Sequence, residues 1–287
     1  MPEVRPPVRW RAVSGVSEYR TLPNYRAGEI AMPVAIHNHH EHSDHGVYFD
    51  THSHPTHELV WKDRGAGVVV ADGERWTTTP GLGLWIPAGT PHSGWMMASS
   101  TSYSTHFDID SLDALSTRPV AVEVTPLLRL LLLRLSEPNL SSDSRTVAEA
   151  MVFDVISPAE RQLRVSMPTD MSLTPIIESV LADPSTQTTL DGWAQRLGVS
   201  SRTLRRQFVE HAGCGFAEWV RGARIQYAIP LLLDGATLEE LCEPCGYHTA
   251  TSFSVAFRKV TGLTPGQFRS RHTTYDHDEA MSVSETD

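Results

Sequence analysis

What the sequence lacks sets the first bounds. It holds three cysteines in 287 residues, too few and of the wrong parity for a disulfide framework, which fits a reducing compartment. It has no long apolar run. The best, Leu130 to Leu133, is flanked by Arg129 and Arg134 and falls far short of the roughly 20 residues a membrane helix needs. The amino terminus, Met-Pro-Glu-Val-Arg-Pro-Pro, has no apolar core of the kind a secretion signal carries, so a cytoplasmic protein with no membrane partner is expected. The chain also lacks an overall excess of positive charge, its formal balance being −10. The deficit is unevenly placed. Residues 1–189 carry 14 basic and 22 acidic side chains, residues 190–272 carry 10 and 7, and residues 273–287 carry none and 5. Only the segment 190–272 is net positive, which is where a footprint for phosphate would lie.

That segment opens with a recognisable pattern. Leu190, Trp193, Ala194 and Leu197 fall at helical spacing, Gly198 allows a sharp turn, and Ser200 can cap a second helix whose Leu204 and Phe208 share a face. With those two turned inward, Arg202, Arg205 and Arg206 project outward, as a helix-turn-helix presents guanidinium forks to guanine edges and phosphates. The pattern then recurs. Leu190, Ala194, Leu197 and Gly198 return 48 positions later as Leu238, Cys242, Cys245 and Gly246, while Leu204 and Phe208 return 49 positions later as Phe253 and Phe257. Thr237 with Glu240 makes a capping box for the copy's first helix, and Thr249 can cap its second. Phe216 to Leu233 reads as one long helix between the two, with Pro230 inside it as a source of a kink and Pro244 as an interruption near the end of a helix in the second copy.

These residues resemble the AraC/XylS family of transcription regulators, whose DNA-binding domain joins two such motifs by one helix. The matching positions run from Leu190-Asp-Gly-Trp-Ala194 through Ser200 to Phe208, then Gly213, Arg224, Gly246-Tyr247, Phe253, Phe257-Arg258-Lys259, Gly262-Leu-Thr-Pro265 and Phe268-Arg269. The resemblance implies that Ser200, Arg202, Thr203, Arg205 and Arg206 sit where the first recognition helix meets DNA, and Thr249, Thr251 and Ser254 in the equivalent part of the second. Val255 stands where the family often has an arginine. Base reading there is therefore expected to be weaker, with Arg258 and Lys259 holding phosphates.

The first hundred residues have a different texture, short alternating apolar runs broken by turns such as Asp72-Gly73 and Pro80-Gly81, which predicts an antiparallel sandwich or barrel. Within it, His52, His54 and Glu58 share parity, so an extended strand points all three to one face, and His92 arrives from a later strand. Three imidazoles and a carboxylate suit zinc, iron(II), manganese or nickel and leave positions open for water or a ligand. The glycine and proline spacing around them resembles both halves of the cupin signature, with Met96 where an asparagine is frequent. The resemblance implies a small double-stranded β-helix barrel. A metal centre and a metal-free effector pocket both remain open, and His57 is an alternative to Glu58 as a ligand. Trp61, Trp85, Trp95 and Phe107 are expected in the barrel core. His37 to His45 holds five histidines and reads as a polar loop at the barrel mouth; Cys242 and Cys245 read as core.

The expected architecture is therefore an α+β multidomain chain. It comprises a cupin-like effector-sensing barrel (1–115), a helical connector that dimerises through Pro126 to Leu135 (116–187), an all-α double helix-turn-helix domain (188–272) and a disordered acidic tail (273–287). The expected function is not catalysis but sequence-specific binding of promoter DNA under control of a small molecule or a metal. A homodimer is the expected form, with RNA polymerase the implied partner of an activator. The alternative is a metal-dependent cupin enzyme, of dioxygenase or isomerase type, with a DNA-binding domain appended.

Overall fold

The computed structural model describes residues 16–111, 114–168 and 170–272; the expected tail at 273–287 lies outside them. Strands β1 (Val16–Arg20), β2 (Ile36–Ser43), β3 (Gly46–His52), β4 (His57–Arg64), β5 (Gly67–Ala71), β6 (Glu74–Thr78), β7 (Leu82–Ile86), β8 (His92–Met96) and β9 (Ser100–Phe107) build the first half. They are joined by β10 (Val120–Glu123) and β11 (Arg164–Ser166) to form two facing sheets, in the orders β1-β3-β8-β5-β6-β11 and β10-β7-β4-β9-β2. Turn chemistry sets the register where the chain doubles back. Asp72 and Gly73 both take positive φ, 51° and 71°, the backbone that a two-residue hairpin matched to strand twist requires, and Ala71 pairs with Glu74 directly across it.

Strand β4 is buried along nearly its whole length because both of its faces are covered. Glu58, Val60 and Lys62 line a cavity between the sheets. Leu59 and Trp61 face the other way, onto helices α1 (Pro126–Leu135) and α2 (Ser142–Val155). Thr125 caps α1 ahead of a proline in its first turn, Ser141 caps α2, and Leu128, Leu132, Leu135, Ala148 and Val152 pack onto Trp61, Trp85 and Phe107. The stretch 116–187, expected as a helical connector, thus also supplies a strand to each sheet, β10 against β7 and β11 against β6. The stretch expected as a histidine-rich loop is in fact strand β2, an edge strand paired with β9 from Ile36 to Ser43 without a break. Pairing on one side holds it, and the imidazoles occupy the edge that regular sheets protect with polar side chains.

After α3 (Thr174–Ala182) the chain is helical: α4 (Leu190–Leu197), α5 (Ser201–Ala212), α6 (Phe216–Leu233), α7 (Leu238–Cys242), α8 (Ala250–Thr261) and α9 (Pro265–His272). Ser200 and Thr249 cap α5 and α8, Gly198 closes α4 in the left-handed region at φ 67°, and Thr237 with Glu240 forms the capping box of α7. Helix α6 runs through Pro230 as one element, whereas α7 stops at Cys242, ahead of Pro244. This helical half rests directly on the barrel. One continuous buried cluster contains Val69, Trp76 and Leu84 from the sheets together with Ile225, Ile229, Phe253, Phe257 and Phe268. Buried Arg75 donates to Gln226 Oε1, and Gln226 Nε2 donates to the carbonyls of Arg75 at 2.9 Å and Leu163 at 3.2 Å. At the end of α9, His272 Nδ1 lies 2.9 Å from Thr79 Oγ1. Among the described residues no helix is long and apolar enough to cross a membrane.

Candidate functional site

Two constellations carry chemistry, one inside the barrel and one on the helices. The cavity between the sheets measures about 280 Å³. At one end, His52 closes β3 and pairs across the ladder with His92 at the start of β8, while His54 follows in the turn before β4. Ligand nitrogens of the three lie within 4.8 Å of one another. Glu58 reaches in from the opposite sheet, its Oε2 3.2 Å from His92 Nε2 and 3.5 Å from His54 Nε2, and its Oε1 accepts from Ser104. The four expected ligands therefore converge, by a different route from the one predicted. His52, His54 and Glu58 do not share one strand; a turn through Pro55 moves Glu58 to the facing sheet.

The backbone orients these rings. His52 Nδ1 lies 2.6 Å from the carbonyl of Asp50, and His92 Nδ1 2.9 Å from that of Thr90. A carbonyl only accepts, so both Nδ1 atoms carry a proton and each ring turns its Nε2 to the centre, the edge that metal-binding imidazoles present. Burial works against a second proton on His92, but its contact with Glu58 outweighs that and raises the ring's pKa above the usual histidine value. Burial, reinforced by repulsion from His92, pulls His52 down to about 4, and burial likewise lowers His54. For Glu58 burial opposes ionisation, but contact with His92 and the fields of His54 and His106 outweigh it and hold the carboxyl well below its usual range. His57 is no ligand in this arrangement. It points out of the cavity, accepting the Ala88 N–H at 3.0 Å and stacking on Trp85. The imidazole that sequence reasoning missed is His106, opposite Glu58 in the β4–β9 ladder, its ring centred 4.9 Å from that of His54 and bonded at both nitrogens to Thr56 and Ser104. Its alternation with buried Thr105 and Phe107 was the available signal.

The far end of the cavity is different. Lys62 donates to Ser102 Oγ at 2.7 Å, and burial pushes its ammonium down to about 7 against the attraction of Glu41 and Glu58. Glu41 itself is paired with Arg20. Met96 is buried in the wall, Trp61, Trp85 and Phe107 are core, and Trp95, expected in the core, is half-buried at the border of the cavity with Arg75 over its ring. Of the histidine-rich stretch, His39 borders the cavity, His40 stacks on Tyr103, and His45 pairs with Glu18.

On the helices, Leu204 and Phe208 are buried and Arg202, Arg205 and Arg206 are exposed on the opposite side of α5. None of these three arginines has a partner among the described residues. The hydroxyls of Ser200 and Thr203 hold each other at 2.8 Å and Ser200 caps the helix, so both position the first turn. On α8, Thr249 caps, Thr251, Arg258 and Lys259 are exposed, Ser254 is half-buried, and Val255 is 66% exposed. The second reading surface thus presents an apolar side chain where the first presents guanidinium groups.

The sequence matches two family models in tandem, an AraC-like ligand-binding domain over residues 38–152 and a helix-turn-helix domain over residues 193–271, together more than half of the chain. The chain belongs to the AraC family of transcription regulators. It is similar to the HTH-type transcriptional regulator NimR of Escherichia coli K12, 24% identical over 227 residues, 78% of this chain and 83% of that protein. It is also similar to the regulator RipA of Corynebacterium glutamicum, 34% identical over 93 residues, 32% of this chain and 28% of RipA. Among solved structures, ToxT of Vibrio cholerae O395 covers 83% of this chain with 98% of its own at 14% identity and a TM-score of 0.36.

The AraC-family regulator is thus a DNA-binding protein with a ligand-binding domain. One arginine whose role the sequence left unassigned braces the connecting helix. Arg224 of α6 donates to the carbonyls of Pro184, Thr186 and Gly246 at 2.9, 2.9 and 3.3 Å, tying the connecting helix to the turn of the second motif. Gly246 must be glycine there, since it has φ 70° and a Cβ would fall 2.7 Å from Arg224 Nη2. Cys242 and Cys245 are buried in the shared core.

Proposed function

We propose that the regulator binds a divalent metal at His52, His54 and His92 with Glu58, and that the cavity beside this centre takes the small-molecule effector. The donor set fits zinc, iron(II), manganese or nickel, and the backbone acceptors behind His52 and His92 support the fit. Control of DNA binding is the best-supported output. The observation that carries it is the shared core, because Val69 both lines the cavity and belongs to the buried cluster that holds α6 and α8, so a repacked cavity wall bears on the reading heads. Arg202, Arg205 and Arg206 would read bases from α5, with Thr251 and Ser254 contributing from α8 and Arg258 and Lys259 holding phosphates.

A homodimer on promoter DNA completes the reading. Helix α1 exposes Leu127 and Leu130, and α2 exposes Val147 and Met151, spacings of three and four that give each helix an apolar stripe away from the barrel. As an activator in the cytoplasm, the dimer would present RNA polymerase with a second partner surface. Elemental analysis with native mass spectrometry of the protein as purified tests the cavity, with one metal per chain expected. A metal-free protein that takes up none of the four ions contradicts the centre. Turnover of any substrate that vanishes in His52→Ala would instead favour a cupin enzyme.

A further inference from the structure

The end of the cavity away from the imidazoles holds a buried amine, Lys62, that metal binding does not use. Lys62 is 3% exposed, its one hydrogen-bond partner is the neutral hydroxyl of Ser102, and no carboxylate pairs with it among the described residues. Glu41 is taken by Arg20, and Glu58 by the histidines. A buried cation without a counter-charge is costly, yet the fold makes space for it. Gly67 lies under the side chain, where a Cβ would stand 2.6 Å from Lys62 Cε and 2.9 Å from Nζ. Four residues of extended strand separate Lys62 from Glu58, about 13 Å. Phe49, Val60, Val69 and Met96 wall the cavity.

We propose that Lys62 anchors the carboxylate of the cavity's ligand, which is a small monocarboxylate whose apolar body lies along Phe49, Val60 and Met96 toward the imidazole end. The carboxylate supplies the missing counter-charge, and Ser102 fixes the direction of the ammonium. This rests on the reading of the cavity as the effector site.

Calorimetric titration of the full chain with benzoate, phenylacetate and phenylbutyrate, each beside its amide and its primary alcohol, tests it. At least one carboxylate should bind about tenfold or more tightly than both neutral partners. In Lys62→Met that preference should disappear while the unliganded protein melts no lower than the parent, a buried charge having been removed. Lys62→Gln, which can still bond Ser102, serves if the methionine variant does not fold. The proposal is overturned by equal affinity across each set, by binding of none of them, or by a carboxylate preference that survives the substitution. A lysine adduct trapped by borohydride from the matching aldehydes, without a carboxylate preference, also overturns it. A carboxylate held through Lys62 that leaves affinity for a selected operator unchanged keeps the anchor and removes the sensor reading instead.

Discussion

Glu58 shows how one side chain can be legible in part. Its spacing from His52 and His54 marked it as a ligand, but the same spacing concealed that a turn at Pro55 carries it to the opposite sheet, and that its nearest strand neighbour is His106. Ladder partners about fifty residues apart leave no local trace in a single sequence. His92→Ala removes a ring whose Nε2 the Thr90 carbonyl aims at the proposed centre, so zinc affinity should fall about 100-fold or more in a chelator competition. An unchanged affinity would place the metal elsewhere. At the joint, His272 is held down to about 4 by burial and by Arg271, whereas a free histidine titrates near 6.5. Because the folded form disfavours the proton, its contribution to stability is full above about pH 6.5 and is lost as pH falls toward 4. Melting temperature should therefore drop more steeply over that window in the parent than in His272→Gln; parallel profiles would contradict the assignment.

Elements were legible where local chemistry decides them. Asp72-Gly73 demanded a tight hairpin and made one, and Ser200, Thr237 and Thr249 cap the helices they were expected to cap. They were illegible where a partner decides. Strand β2 has no strong apolar alternation and exists because β9 pairs with it, and three-residue β11 exists because β6 and the Trp219 indole, which donates to the Ser166 carbonyl at 2.8 Å, hold it. Leu132 is fully buried between α1 and the sheet, so Leu132→Ala should cost about 2–5 kcal/mol in urea unfolding. The exposed face of the same hairpin behaves oppositely. Leu130→Glu should leave stability within about 0.5 kcal/mol but yield monomers in sedimentation, and a variant that sediments like the parent argues against pairing through α1.

At the scale of the whole molecule, the sequence pointed to two units joined by helices, and the structure adds that they share a core. That packing could not be read from either half alone, because Gln226 and Arg75 are polar residues on unremarkable stretches until each buries the other. The two reading heads differ in kind. The first presents three unpartnered arginines, the second an exposed valine with Thr251, Ser254, Arg258 and Lys259 on the same helix. The most direct test is the affinity of the full chain for an operator selected from random duplexes and for an unrelated duplex, in the parent, Arg206→Ala and Lys259→Ala. Arg206→Ala should lose about 10- to 100-fold on the operator and little on the unrelated duplex, while Lys259→Ala should lose a similar, smaller factor on both and flatten the salt dependence. Equal affinity of all three proteins for the operator, or an Arg206→Ala loss of the same size on both duplexes, would contradict base reading by the first recognition helix.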